Sequence, residues 1–179
     1  MTYTPGAFQL YNDAVIGPMS RCSIAPRLGA LNFTTPVDAL WPTANLAFYI
    51  PFVLERTVTV YQVGWVNAAT AVTGTHEAGV YDSLGSKIIS GAAAGSGLSA
   101  VQVVNVTDTV LSAGQYWIAM VNTSTVGHVW AWAPTAPQAA SLGVLTEATA
   151  GTLPTTATMA ISQTSAFIPI CFLQMRATL

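Results

Sequence analysis

Short apolar runs rich in Val, Ile, Tyr, Phe and Trp recur from Leu46 onward, and clusters of Gly, Asn, Asp and Ser divide them. Runs of that length and composition, bounded by turn formers, predict strands. The pattern places them at 46–53, 57–66, 77–82, 87–90, 100–106, 116–122, 126–132 and 168–176. No stretch carries a sustained helical period with caps. Strands of this kind and spacing predict an all-β chain, an antiparallel β-sandwich with jelly-roll-like character.

Residues 1–44 read differently. They hold Pro5, Pro18, Pro26, Pro36 and Pro42 with Gly6, Gly17 and Gly29 between them, and neither period is sustained. The expected organisation is therefore an extended N-terminal arm over 1–44, for attachment or oligomerisation, and a sandwich domain over 45–179. Within the sandwich, Pro51 and Pro169 cannot donate to a ladder, so their strands belong at an edge or a bulge. Gly64 is placed to bend its strand. "YDSLGSK" predicts a hairpin in which Asp82 and Ser83 open the turn and Gly85 takes a positive φ.

"LSAGQYWIAM" predicts the corner where a sandwich chain crosses between sheets. There a tyrosine near the start of a strand returns its hydroxyl to upstream backbone. Leu111 would fill the core, Gly114 make the turn and Tyr116 lock it, a structural role.

Charge changes the picture of the surface. Only 7% of the 179 residues are charged and 52% are hydrophobic, against roughly 25% charged in an ordinary soluble domain. A folded monomer of this mass exposes about 8,200 Å². Its few ionised groups then stand far apart, leaving Ser, Thr, Asn and Gln, or further copies of the chain, to cover the rest. A homo-oligomer is expected. One Lys and four scattered Arg give no phosphate-binding footprint, which excludes nucleic acid as a partner. "LAFYIPFVL" and "AFIPICFL" are too short to span a bilayer and each is broken by Pro. The N-terminal residues lack the basic and apolar regions of a signal peptide, so synthesis and assembly in the cytoplasm of the cell that makes it are expected. Cys22 and Cys171 are then expected to be free buried thiols.

Candidate chemistry is sparse. "HEAGV" lacks the second histidine of a zinc-protease helix, no G-x-S-x-G occurs, and no cofactor or metal site is expected. A glycosidase would need two carboxylates on one groove, from a set that includes Glu77, Asp82 and Asp108; Asp82 and Asp108 read more simply as caps of backbone amides. "HVWAWAP" stands out, because His128, Trp130 and Trp132 alternate along one strand and share a face. Paired indoles can stack on sugar rings, while core or subunit-interface packing accounts for the same residues with less. No Asp, Glu, Lys or Arg occurs from Thr109 through Thr146, which favours an interface.

Four segments in order, "LWPTANLAFYIPFVLERTVTVYQVGWVNAA", "HEAGVYDSLGSKIISG", "VQVVNVTDTVLSAGQYWIAM" and "TLPTTATMAISQTSAFIPICFLQMR", carry a resemblance over about 38–179. Their Trp41-Pro42 pair, the strand with Pro51, the Gly79–Gly85 hairpin and the Leu111–Tyr116 corner resemble a β-sandwich module of tailed-bacteriophage virion surface proteins. The resemblance implies a non-enzymatic structural part of a virion, commonly a tail fibre or spike tip that mediates host attachment, and often a homotrimer. It implies partners among other virion proteins, reached through the arm, and a host surface glycan. The chain lacks the long repetitive shaft of a fibre, which brings a capsid decoration or cement protein into view. A small carbohydrate-binding module and a depolymerase are the remaining readings.

Overall fold

The computed structural model describes residues 15–16, 36–158 and 166–177. Twelve strands and one short helix follow in order: β1 (Val15–Ile16), β2 (Val37–Leu40), β3 (Leu46–Leu54), β4 (Val58–Val66), β5 (Thr75–Asp82), β6 (Lys87–Ala94), β7 (Val101–Leu111), β8 (Gly114–Asn122), β9 (His128–Trp132), α1 (Ala136–Ser141), β10 (Leu145–Ala148), β11 (Ile168–Pro169) and β12 (Cys171–Ala177). Every pairing is antiparallel.

The pairing has a simple logic. β5 and β6 form a hairpin, β4 pairs β7, β3 pairs β8, and β1 pairs β12. The chain is thus one long antiparallel ribbon folded back on itself. Rolling the ribbon gives a four-stranded sheet β1-β12-β4-β7 facing a five-stranded sheet β10-β3-β8-β5-β6. That alternation of strands between two sheets is a jelly roll, the double Greek key that lets an antiparallel chain bury one face of each sheet. A third sheet, β11-β9-β2, closes one side.

Inward residues of both sheets make the main core, including Phe48, Ile50, Val60, Val63, Trp65, Val80, Ile118 and Leu173. Trp41 joins it at an edge-on 5.4 Å from Phe48 and 5.2 Å from Phe167, and its indole N–H donates to Leu46 O. The stretch 37–44 of the expected arm therefore packs on the sandwich, with Val37–Leu40 paired to β9. Apart from the backbone of β1, the arm's earlier residues lie outside the described ones.

The five-stranded sheet buries its outer face too. Ala47, Tyr49, Tyr81, Ala119, Val121 and Leu153 form a second apolar cluster beneath residues 149–158. This strap is fastened at several points: Tyr81 donates to Pro154 O at 2.6 Å, Lys87 Nζ to Leu153 O at 2.6 Å, and the Leu153 amide to Glu77 at 2.8 Å. Glu147 accepts from the Tyr49 hydroxyl and from the amide and hydroxyl of Thr158. Burial, and then the neighbouring Tyr81 and Glu147, push the Tyr49 hydroxyl far above its ordinary pKa; burial does the same to Tyr81. Both phenols stay neutral donors.

Local expectations meet the structure at named residues. Gly85 has φ of 86°, and Asp82 Oδ1 accepts the Leu84 and Ser86 amides across the hairpin. β10 covers β3 only as far as Tyr49, so Pro51 falls where, among the described residues, β8 is the one strand paired with β3. Gly64 is not a bend. It lies in regular register between Phe172 and Val103, and glycine is needed because a Cβ there would stand 2.6 Å from both the Phe172 ring and Gln102 O. The irregularity of β4 sits instead between Val60 and Gln62. Nor is the chain free of capped helix: Thr135 and Gln138 form a reciprocal capping box at the start of α1, and Gly143, at φ 76°, ends it.

Candidate binding face and buried polar sites

β9 alternates as its sequence requires. Val129 and Ala131 are buried in the main core, while His128, Trp130 and Trp132 on the other face are partly exposed. The antiparallel register sets Asp38 opposite Trp130 and Leu40 opposite His128, so all of these share one face. The two indoles are not equivalent. Trp132 packs against the core, opposite the buried Ile168, whereas Trp130 stands beside Asp38.

The polar centre of this face is Asp38. Its Oδ1 lies 2.6 Å from His128 Nδ1, and its Oδ2 accepts the Thr70 hydroxyl at 2.5 Å and the Ala69 amide at 3.0 Å. Burial raises the Asp38 pKa, but the hydrogen bonds from Thr70 and His128, the His128 charge and the Ala69 amide outweigh it and hold the carboxyl below its usual range. The same strand pair is locked to loop 67–71 by the bond from the His128 amide to Ala71 O. An imidazole oriented by a carboxylate is one half of a general-base device. The side-chain contact shown at the His128 ring is the one to Asp38. What the face offers is a partly exposed indole beside a fixed acceptor and donor, with Leu40 50% exposed at its rim. Such a combination binds polyhydroxylated or amphipathic groups.

Sequence reasoning found His128, Trp130 and Trp132, counted Asp38 only among the carboxylates open to a glycosidase, and did not find Thr70 or Leu40. Alternation over Val37–Leu40 was the available signal, and four residues between prolines are too few to carry it.

At one end of the sandwich, buried polar groups tie three loops together. Asn67 accepts from the Trp65 indole at 2.9 Å and donates to Ser96 O, Gly97 O and Gln102 Oε1. His76, fully buried, stacks on Trp65 at 5.4 Å and lies 3.0 Å from Asn122 Nδ2. Three of the carboxylates considered for a depolymerase, Glu77, Asp82 and Asp108, stand apart from one another. Glu77 is buried under Leu153 next to Lys87 at 3.6 Å, Asp82 caps the hairpin, and Asp108 on β7 is paired with Arg176 on the opposite sheet from Glu77. Among the described residues no group of three or more His, Cys, Asp or Glu gathers as metal ligands.

The corner residues lie together where β7 of one sheet passes to β8 of the other. Leu111 is 2% exposed, and the Tyr116 hydroxyl donates to Ser112 O at 3.0 Å while its ring stacks on Phe52. Gly114 opens β8 without a positive φ, so the turn does not depend on glycine there. Cys171 is a buried free thiol, pushed up to about 12 by burial; Cys22 lies outside the described residues.

No protein-family model, curated protein or solved structure matches the chain. Its class is therefore defined by its own topology, an all-β jelly-roll sandwich. No helix among the described residues is long and apolar enough to cross a membrane.

Proposed function

We propose that the chain is a non-enzymatic structural component of a tailed-phage virion, set at the particle surface in several copies as a tail fibre or spike tip that meets the host. The observation that carries the reading is the jelly roll itself, closed over both faces of its larger sheet and almost without charge. Jelly rolls serve as capsid and lectin domains, an argument by analogy of fold. The ordered Trp41-Pro42, Pro51, Gly79–Gly85 and Leu111–Tyr116 motifs add to it. In this reading the chain associates with itself, as a homotrimer, and with other virion proteins through residues 1–44. Decoration of the head is the alternative placement.

Purified particles test this. Quantitative mass spectrometry and a particle reconstruction should find the chain in tens of copies at the tail tip; hundreds of copies on the head would move it to the decoration role. Its absence from particles would overturn both.

A second reading is favoured by one feature, the Asp38–His128 pair beside Trp130. It makes the domain a carbohydrate-binding module, on a particle or free of one.

A further inference from the structure

β7 is the longest strand, at eleven residues, and among the described residues it pairs only with β4. A free edge of that kind offers a row of unpaired N–H and C=O groups, and proteins normally blunt it with Lys, Pro, short length or a bulge. The other ends of the two main sheets are blunted: among the described residues β1 has two residues and β10 four, and β6 opens at Lys87 with a register slip against β5 and ends in the small residues Ser90 to Ala94. β7 is interrupted opposite Tyr61, where the register slips and Asp108 pairs with Arg176. Before that point, Val101 to Asn105 runs in regular register against Val66 to Gln62, with no charge, no proline and, among the described residues, no further strand paired to it.

This segment is apolar as well as open. Leu98, Val101 and Val103 are 59%, 62% and 40% exposed. Val103 also ends an apolar row, because across the outer face the Phe172 ring lies over Gly64, and Gly64 is paired with Val103.

We infer that the Val101–Asn105 edge of β7 is a contact between two copies of this chain, paired antiparallel about a two-fold axis at Val103. The inference rests on the reading above that the chain works in many copies. Three observations select a second copy as the occupant. No Asp, Glu, Lys or Arg occurs from Ile88 to Thr107, so two such edges meet without repulsion. The pairing is self-complementary, Val103 meeting Val103 and Val101 meeting Asn105, which is what an isologous contact requires. The row Phe172–Gly64–Val103 then continues through the axis into the same row of the second copy.

Size sets the strength. Five residues at ~3.4 Å each span ~17 Å, and a sheet edge is ~10 Å deep. The contact is thus well short of the ~1,200 Å² of a stable interface. It forms at high concentration in solution and tightens when copies are held together on one particle. Any three-fold contact must use another surface.

The test uses the full chain with Val103→Cys and, as control, Val110→Cys, a 58% exposed valine of the same strand beyond the irregularity. Paired Cα atoms on such an axis lie about 4.5–5.5 Å apart, within disulfide range. On mild oxidation V103C should form a covalent dimer at least ten times faster than V110C or the unaltered chain. In the unaltered chain, amide exchange at 101–105 should slow as concentration rises from about 10 µM to 1 mM. Equal cross-linking of V103C and V110C, or exchange independent of concentration, would overturn the contact. Absence from particles would remove the virion reading but leave this contact standing; presence in particles with no V103C cross-link would do the reverse.

Discussion

His76 shows what a single buried group can dictate. The Ser124 amide occupies Asn122 Oδ1 at 2.9 Å, so the Asn122 amide nitrogen faces the imidazole and donates to Nε2. The ring is then neutral with its proton on Nδ1, which has no partner among the described residues. Burial drives its pKa down to about 4 from 6.5. Because the unfolded chain takes up the proton first, stability is full above pH 6.5, falls as pH drops from 6.5 towards 4, and levels off below that. Between pH 7.5 and 5, where carboxylates are still ionised, the loss should be about 2 kcal/mol by the relation between pKa shift and free energy. Urea unfolding at a series of pH values checks it: a flat profile across that interval would mean that water or a neighbouring group stabilises the charged ring.

At the level of elements, periodicity and turn chemistry revealed what they physically encode. β3, β4, β5, β8 and the β5–β6 hairpin were legible because each is a run of β-formers with a turn former at its end, and Pro51 marked the single-sided stretch of β3. β7 runs five residues past its expected end: Thr107 and Asp108, which look like loop, fall in the register slip opposite Tyr61, and pairing with β4 resumes from Thr109 to Leu111. β2 and α1 were hidden by length, although Thr135, Gln138 and Gly143 spell out a cap at each end of the helix. The strap was illegible, because contacts such as Glu77 to Leu153 depend on tertiary proximity. The lack of charge from 109 to 146 has a partly internal origin: Ile118–Asn122, Val129, Ala131, Ala139, Leu142 and Val144 are all buried. For β9 the outcome can be read experimentally. Trp130→Ala should reduce retention on host polysaccharide at least tenfold with little change in melting temperature, because its ring is partly exposed beside Asp38. Trp132→Ala should instead lower stability, by about 1–3 kcal/mol, since that ring packs on the core. If Trp130→Ala leaves retention unchanged, the carbohydrate reading fails.

Over the whole molecule, the scarcity of charge determines how the protein responds to its solvent. Ion pairs between described residues include Lys87–Glu77, Arg176–Asp108 and, when its ring is protonated, His128 with Asp38, of which the Arg176–Asp108 pair is the most exposed. The Arg176–Asp108 pair is half exposed on both sides, and such pairs contribute about 0–1 kcal/mol. The other two are held by hydrogen bonds to strap and loop, which salt screens weakly. Stability therefore rests on two apolar clusters and their buried polar ties, and ordinary salt has little to act on. Raising sodium chloride from 20 mM to 0.5 M should shift the free energy of unfolding by less than about 0.5 kcal/mol. Sodium sulfate, which strengthens apolar burial, should raise both the melting temperature and the fraction of associated copies. Association requires more than stability does, because it needs an apolar patch left exposed in the folded chain, and β7 supplies one at Val101 and Val103. Light scattering in the two salts separates these causes: association that fell with sodium chloride and was indifferent to sulfate would mean that charges, and not exposed valines, bring the copies together.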